Sequence, residues 1–295
     1  MGILGAHTQG QCCIDKFVLI GDHKQLPAVV QQNPAESAVE DPVLRDIQLT
    51  DCRNSLFERL ILTERAAKRD DFIGILRRQG RMHPAIAAFP NCMFYAREHL
   101  EPVPLRHQQE KVIYPLADEK VQLLSPLAQL LARERTLFIP SKSCLRPGVS
   151  EKVNTEEARI VAEVVHEIRQ LCGADFDPTK TVGVIVPYRN QIAMIRKALA
   201  ALGCPQLLQI SIDTVERYQG SQRDVIIYSF TIQRRYQLDF LTSNCFVEDG
   251  QVIDRKLNVA LTRARKQLIV TGNEAILRQD DIFKALIDSM PRHEM

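Results

Sequence analysis

Short apolar runs alternate with amphipathic stretches along the chain, a pattern typical of proteins in which helices cover a parallel β-sheet. Apolar runs predict strands near residues 16–21, 136–139, 181–186, 210–212, 224–230 and 268–270. Helical spacing of apolar positions predicts helices near residues 55–67, 84–95, 123–133, 154–172 and 191–202. The alternating order predicts a doubly wound parallel sheet that binds its ligand at the carboxyl ends of the strands.

The composition is that of a globular protein. The chain has 295 residues, of which 45% are hydrophobic and 25% charged. This length suggests one large domain or two smaller ones. The formal net charge of +2 gives no overall polybasic signal. Arginine outnumbers lysine, which is compatible with phosphate ligands but is better explained by a GC-rich genome.

Cysteine usage and hydropathy narrow the class of protein. Eight cysteines are scattered without a Cys-x-x-Cys pair, and no two histidines have metal-ligand spacing, so no metal site is predicted. The sequence has no signal peptide and no apolar run near the roughly 18 residues that a membrane span needs. We therefore expect reduced thiols, a cytoplasmic location and no membrane association.

Two polar segments near the first predicted elements carry candidate chemistry. Residues 21–27 close a predicted strand with an acid, a base and an amide, and the neutral amide of Gln25 suits the sensing of a γ-phosphate. A capping aspartate and a turn proline would produce the same pattern. Arg81 precedes a helix that begins with Pro84, and an arginine aimed at a phosphate acts as an arginine finger. An exposed loop arginine is the commoner explanation.

Two further segments lie in the second half of the chain. Thr214 can hydrogen-bond a nucleic-acid phosphate, and Gly220 permits the close approach of a backbone. The segment Asn258–Arg265 is predicted to be helical, with Arg263 and Arg265 pointing in different directions because positions i and i+2 do not share a helix face. One arginine could reach ATP while the other braces the loop, or both could be ordinary surface arginines.

Taken in order, five segments resemble the later motifs of the Upf-type superfamily 1 helicases. They are Gly-Asp-x-x-Gln-Leu-Pro, Gln-x-Arg-Met-His-Pro, Pro-Tyr-x-x-Gln, Thr-Val-Glu-x-Tyr-Gln-Gly and Asn-Val-Ala-Leu-Thr-Arg-Ala-Arg. The resemblance extends from about Phe17 to Asn273. It implies an α/β RecA-like P-loop NTPase fold, with a parallel sheet flanked by helices, and ATP hydrolysis coupled to movement on single-stranded DNA or RNA.

The resemblance also implies roles for individual residues. Gln25 corresponds to the γ-phosphate sensor, and Arg81 and Arg263 to two arginines that converge on the γ-phosphate. Nucleotide-binding positions are implied for Asp22, Gln79, Gly220, Gln222 and Arg265, and nucleic-acid contacts for Pro187, Tyr188 and Thr214. Gly80 stands where the family often has a tyrosine that stacks on adenine, so base stacking is expected to be weaker or to come from elsewhere. Gln222 replaces a glutamate of many members, which removes a charge near the nucleotide.

Two motifs of such helicases do not occur in the sequence. There is no Gly-x-x-x-x-Gly-Lys-[Ser/Thr] loop, and no Asp-Glu pair closes a buried strand. By resemblance, residues 1–78 are expected to be the C-terminal remnant of a first RecA-like domain and residues 79–295 a second RecA-like domain. The ligands of Mg²⁺ are then expected in a missing N-terminal part, and the chain alone is expected to hydrolyse ATP negligibly. A truncated sheet is expected to leave an apolar face or strand edge uncovered, which favours aggregation or a partner.

Two other classes remain open. A half-helicase can serve as a non-catalytic single-strand-binding or regulatory protein, but such grooves combine basic residues with stacking aromatics. The chain has no tryptophan and only 6% aromatic residues, which disfavours a dedicated binder. A Rossmann-type enzyme would need a Gly-x-Gly-x-x-Gly turn after the first strand, and the sequence has none there.

Overall fold

A computed structural model describes residues 7–8, 11–12, 14–28, 32–116 and 118–295. Its contacts divide the chain into two compact units. The smaller unit comprises residues 1–23 and 27–74, and the larger unit comprises residues 24–26 and 75–295.

The described strands and helices alternate over most of the chain. The strands are β1 (His7–Thr8), β2 (Gln11–Cys12), β3 (Arg78–Gln79), β4 (Glu101–Pro102), β5 (Thr136–Ser141), β6 (Val182–Val186), β7 (Ser211–Thr214), β8 (Arg223–Ser229), β9 (Cys245–Glu248), β10 (Gln251–Asp254) and β11 (Ala264–Asn273). The helices are α1 (Pro34–Ser37), α2 (Pro42–Asp46), α3 (Leu56–Ala66), α4 (Pro84–Met93), α5 (Arg106–Gln109), α6 (Asp118–Gln122), α7 (Pro126–Arg133), α8 (Thr155–Cys172), α9 (Arg189–Ala201), α10 (Val215–Tyr218), α11 (Gln237–Leu241), α12 (Arg255–Leu261), α13 (Glu274–Leu277) and α14 (Asp281–Asp288).

In the smaller unit, one sequence prediction holds and another fails. Helix α3 forms as predicted and is capped by Ser55, whose hydroxyl accepts a hydrogen bond from the backbone of Glu58. The buried strand predicted over residues 16–21 is wrong: the segment is not a strand, and Val18 and Ile20 are 83% and 88% exposed. A buried strand needs paired neighbours and covered faces. Among the described residues, no strand pairs with this segment.

The larger unit is built on a five-stranded sheet in the order β5-β11-β8-β6-β7, with every neighbouring pair parallel. The sheet is flanked by helices, and the predicted α/β RecA-like fold is confirmed. The strands run in the same direction because helices such as α8, between β5 and β6, and α9, between β6 and β7, return the chain across the faces of the sheet.

Side chains alternate along each strand and fill a core on each face of the sheet. In β8, Ile226 and Tyr228 belong to one buried cluster, while Val225 and Ile227 belong to the other. The second cluster contains the apolar stripe of α8, which explains the helical spacing seen in the sequence. Both faces of the central strand are thus covered, as its nearly continuous apolar sequence predicts.

Helix α8 has defined ends. The side chain of Asn154 accepts hydrogen bonds from the backbone N–H groups of Glu156 and Glu157 at its start. Gly173 ends it with a φ of 55°, a left-handed conformation that favours glycine. These caps fix where α8 begins relative to the carboxyl edge of the sheet, the edge at which the parallel strands end.

Candidate nucleotide and nucleic-acid sites

A tight turn after β3 sets the direction of Arg81. The side-chain oxygen of Gln79 accepts from the backbone N–H groups of Arg81 and Met82 at 3.0 and 2.8 Å, and its Nε2 donates to the carbonyl of Met82. The Nε2 of Gln108 donates to the carbonyls of Gln79 and Met82 as well. The amide of Gln79 therefore braces the turn that presents Arg81.

Arg81 joins two distant segments of the larger unit. Its Nε donates to Oε1 of Gln222 at 3.0 Å, and its Nη1 donates to the carbonyl of Thr262 at 3.1 Å. Burial lowers the pKa of Arg81 from its ordinary value. An arginine stays charged in proteins even so, which leaves a partly desolvated cation that interacts strongly with an anion.

Arg263 is almost completely buried, with a relative exposure of 2%. Its Nε donates to the carbonyl of Val259 at 2.9 Å. Its Nη2 donates to Oε1 of Gln25 at 2.9 Å and to the hydroxyl of Thr262 at 3.1 Å. The structure therefore gathers three predicted catalytic residues and one predicted nucleotide-binding residue around a single threonine. We call this group the arginine cluster: Gln25, Arg81, Gln222, Thr262 and Arg263.

The arginine cluster lies at the amino ends of two neighbouring strands. Gln222 immediately precedes β8 and Arg263 immediately precedes β11. The backbone N–H of Arg223 donates to the carbonyl of Arg263 at 3.1 Å. The loops leading into β8 and β11 carry these residues, so they lie at the amino ends of the strands and not at the carboxyl ends, where the sequence predicts ligand binding.

The helix predicted over Asn258–Arg265 is wrong in its second half. Helix α12 ends at Leu261, and β11 begins at Ala264, where pairing with β8 starts. Arg265 therefore lies in a strand, where its Nη1 is 2.7 Å from a carboxylate oxygen of Asp224 and its Nη2 is 3.4 Å from Nδ1 of His107. The sheet ladder overrides the helical spacing and directs Arg265 to this ion pair.

Two other predicted nucleotide-binding residues, Gly220 and Asp22, lie outside the arginine cluster. Gly220 has a φ of 87°, and a Cβ added to it would meet no atom within 4 Å. Its backbone conformation, rather than close packing, requires glycine there. Asp22 belongs to the smaller unit, where it is partly exposed.

The predicted nucleic-acid contacts lie together at the carboxyl edge of the sheet. Val186 at the end of β6 pairs with Thr214 at the end of β7, and Pro187 and Tyr188 follow directly. Tyr188 is 7% exposed, and its ring stacks on Phe240 with centroids 5.0 Å apart. Burial raises the pKa of Tyr188. One face of this ring is therefore covered by protein rather than open to a base.

A buried polar network under the same edge was not predicted from the sequence. Glu157 is fully buried and accepts hydrogen bonds from the hydroxyl of Ser229 at 2.6 Å and the N–H of Thr231 at 2.8 Å. It also accepts from Ser141 and Asn154 at 3.1 and 3.3 Å. The network ties the ends of β5 and β8 to the start of α8. The available sequence signal is a glutamate three residues after Asn154, a spacing that is also typical of a local helix cap.

The sequence reasoning also missed a hairpin formed by β9 and β10. Glu248 pairs with Gln251 across a two-residue turn, Asp249-Gly250, in which both residues have positive φ. This is the type I′ geometry for which an Asp-Gly dipeptide is the strongest short signal. The dipeptide was visible in the sequence and would have located the hairpin.

The described parts of the chain contain no group of three or more His, Cys, Asp or Glu side chains arranged to hold a metal ion. No helix among the described residues is both long enough and apolar enough to cross a bilayer.

With the fold and these sites described, comparison with known proteins identifies the class. A family model described as an AAA domain matches residues 52–275. The match covers most of the chain, which therefore belongs to this family, and the predicted membership in superfamily 1 of helicases is confirmed.

Three curated relatives illustrate the similarity. The chain is 29% identical over 286 residues to an uncharacterised ATP-dependent helicase of Methanocaldococcus jannaschii, covering 92% of this chain and 34% of the relative. It is 28% identical to Helicase sen1 of Schizosaccharomyces pombe, covering 92% of this chain and 14% of the relative. It is 30% identical to the DNA replication ATP-dependent helicase/nuclease DNA2 of Xenopus laevis, covering 92% of this chain and 24% of the relative. The chain thus spans about a third or less of these relatives.

Proposed function

We propose that the chain forms the C-terminal part of an ATP-dependent helicase or translocase that moves on single-stranded DNA or RNA. Residues 1–78 are assigned to the end of a first RecA-like domain and residues 79–295 to the second. The scattered thiols, free of disulfides where described, favour a reducing compartment, and we propose the cytoplasm.

The observation that carries the proposal is the meeting of Arg81 and Arg263 at Thr262. One guanidinium donates to the Thr262 carbonyl and the other to its hydroxyl. Two arginines held this way form a preorganised positive site, which stabilises charge that develops on a transferring phosphoryl group. Gln25 reaches the same site and supplies an amide that can interact with the phosphate or with an attacking water.

The arginine cluster fits one end of a nucleotide triphosphate. Arg81 and Arg263 would hold the γ-phosphate, while Gln222 would keep Arg81 oriented through their 3.0 Å hydrogen bond. Mg²⁺ would neutralise phosphate charge when bound, and we assign its ligands to a part of the protein outside this chain. Arg81 and Arg263 would supply the phosphate-facing cations, but the sequence has no Gly-x-x-x-x-Gly-Lys-[Ser/Thr] loop to hold the phosphates. We therefore propose that the chain alone hydrolyses ATP negligibly.

The segment from Thr214 to Gln222 would connect nucleic-acid binding with the nucleotide. It begins at the carboxyl edge of the sheet and ends at the amino edge beside Arg81. Between them, the hydroxyl of Tyr218 donates to the carbonyl of Ser211 at 2.8 Å, which anchors α10 to β7. A strand of nucleic acid at Thr214 and Pro187 would thus act on the residues that orient Arg81.

The decisive experiment compares ATP hydrolysis by this chain with hydrolysis by the longest polypeptide that contains it, each with and without single-stranded DNA and RNA. We expect negligible turnover by the chain and strand-stimulated turnover by the longer polypeptide. Metal-dependent turnover by the pure chain would contradict the proposal that part of the ATP site lies outside this chain. Strand binding without turnover by the longer polypeptide would instead support a non-catalytic binding protein.

A further inference from the structure

Three consecutive residues, Lys24-Gln25-Leu26, are anchored individually in the larger unit. The carbonyl of Lys24 accepts from Nδ2 of Asn258 at 2.8 Å, and the carbonyl of Leu26 accepts from Nε2 of Gln219 at 2.9 Å. The side chain of Leu26 is buried in the core. Gln25, between them, contacts Arg263 through its side chain. The position of the Gln25 amide therefore depends on how its two neighbours are held.

Lys24 makes the most extensive of these contacts. It is 3% exposed, and its ammonium donates to the carbonyl of Phe94 and to Glu98, both at 2.8 Å. A carboxylate oxygen of Glu248 lies 3.0 Å from the same nitrogen. Among the described contacts, the ammonium thus donates two hydrogen bonds and forms an ion pair with Glu248. The planar fork of an arginine would not match this arrangement.

The acceptors come from elements that are far apart in sequence. Phe94 caps the end of α4, and Glu98 lies in the turn that follows it. Glu248 is placed by the type I′ turn of the β9–β10 hairpin. Arg97 fixes that turn by donating to Asp249 at 2.9 Å. The hairpin and the turn after α4 thus form a socket around one lysine side chain.

The charges make the socket selective for a cation. The side chains of Lys24, Glu98 and Glu248 are 4%, 10% and 9% exposed. A cation beside two largely buried carboxylates favours the charged form of both and offsets their mutual repulsion. Lys24 directly precedes Gln25 in the chain, so the ion pair acts on the position of Gln25 through the backbone of Lys24.

We propose that Lys24 is a positioning residue for Gln25, with Glu98 and Glu248 as its ion-pair partners. The contacts of the ammonium hold the segment Lys24-Gln25-Leu26 in position, which keeps the Gln25 amide in contact with Arg263. The inference deepens the proposed function, since Gln25 and Arg263 are the residues proposed to meet the γ-phosphate. The dependence of Gln25 on Lys24 can, however, be tested without any nucleotide.

The test follows the Nε–H resonance of Arg263 in the purified chain by NMR, with Arg263→Lys used to assign it. This group donates to the carbonyl of Val259 and belongs to the guanidinium that Gln25 contacts. We expect Gln25→Ala to shift the resonance. Lys24→Met should shift it in the same direction and at least half as far, and the double variant should add nothing beyond Gln25→Ala. Lys180→Met, which removes an exposed lysine paired with Asp177, is the matched control and should leave it unchanged.

A Lys24→Met variant whose Arg263 resonance stays at the wild-type position, while Gln25→Ala moves it, would overturn the proposal. If Lys24→Met does not fold, the triple variant Lys24→Met, Glu98→Gln, Glu248→Gln removes the cation and both acids together, and the same comparison applies. In the longer ATP-hydrolysing polypeptide, Lys24→Met and Gln25→Ala should lower kcat by similar factors without a matching change in KM. Absence of ATP turnover there would refute the proposed function but leave the resonance test standing.

Discussion

Arg81 and Arg263 donate to the same residue, Thr262: Nη1 of Arg81 lies 3.1 Å from its carbonyl oxygen, and Nη2 of Arg263 lies 3.1 Å from its hydroxyl. The two cations are thus brought to one point by a residue that carries no charge. The hydroxyl of Thr262 donates in turn to the carbonyl of Asn258 at 2.7 Å, which fixes its orientation. The geometry of the proposed phosphate site depends on this threonine as well as on the arginines.

Replacing Arg81 or Arg263 with lysine should abolish most ATP turnover in the longer polypeptide that contains the chain. A lysine ammonium keeps the charge but cannot make the paired contacts of the guanidinium. We expect kcat to fall about a thousandfold, the lower end of the effect of an arginine finger. Arg196→Lys, at an exposed position on α9, is the control. Equal loss in all three variants would show that the effect is not specific to the cluster.

Thr262→Val should destabilise the larger unit. Valine has nearly the shape of threonine but removes one of the three acceptors described for the buried Arg263 guanidinium, while the carbonyl used by Arg81 remains. An unsatisfied buried donor costs about 1–3 kcal/mol. Urea denaturation of the chain measures the change, and Thr262→Ser, which keeps the hydroxyl, should retain most of the stability. Identical denaturation of the valine variant and the wild type would contradict the role of the hydroxyl.

The stability of the chain should fall between about pH 4.5 and pH 7 because of Glu157. Burial raises the pKa of Glu157 from 4.5 to about 7, against the four hydrogen-bond donors that favour its charged form. The native state therefore binds this proton more tightly than the unfolded state. The resulting stability is complete below pH 4.5, declines as pH rises to about 7, and is absent above that pH.

The contribution of Glu157 can be isolated with Glu157→Gln. A shift of this size corresponds to at most about 3 kcal/mol between low and high pH. Urea denaturation of both proteins at a series of pH values should show a decline in the wild type that the variant lacks. Other buried acids titrate in both proteins, so the difference between the two curves reports Glu157. Parallel curves would disprove the prediction.

Gly183→Ala should displace Tyr218 and weaken the link between the two edges of the sheet. A Cβ at Gly183 would overlap the Tyr218 hydroxyl and lie 2.8 Å from Cγ of Arg223. Overpacking of this kind destabilises by about 1–3 kcal/mol. Tyr218→Phe removes the overlapping oxygen, so the double variant should recover part of the stability lost in Gly183→Ala. Thermal unfolding checks this, and a double variant no more stable than Gly183→Ala would contradict the proposed clash.

The sheet was largely predictable because the strands of a parallel sheet are buried on both faces and read as apolar runs. Strands β5, β6, β7, β8 and β11 lie where such runs predict them, with ends displaced by a few residues. The segment over residues 16–21 has the same apolar pattern but is exposed. An apolar run indicates that burial would be favourable, but it does not show whether neighbouring strands are present to cover it. Arg265 was assigned to a helix for a related reason: local spacing cannot reveal that β8 pairs with the chain from Ala264 onward.

The sequence alone determined the fold class, the family and the candidate residues Gln25, Arg81 and Arg263, because these depend on local periodicity and on short ordered motifs. Tertiary structure decided which residues meet. Arg81 and Thr262 are 181 positions apart, and Lys24 and Glu98 are 74 apart. No local pattern encodes such contacts, since they arise only when packing of both faces of the sheet brings the amino ends of β8 and β11, the turn after α4 and the β9–β10 hairpin to fixed positions.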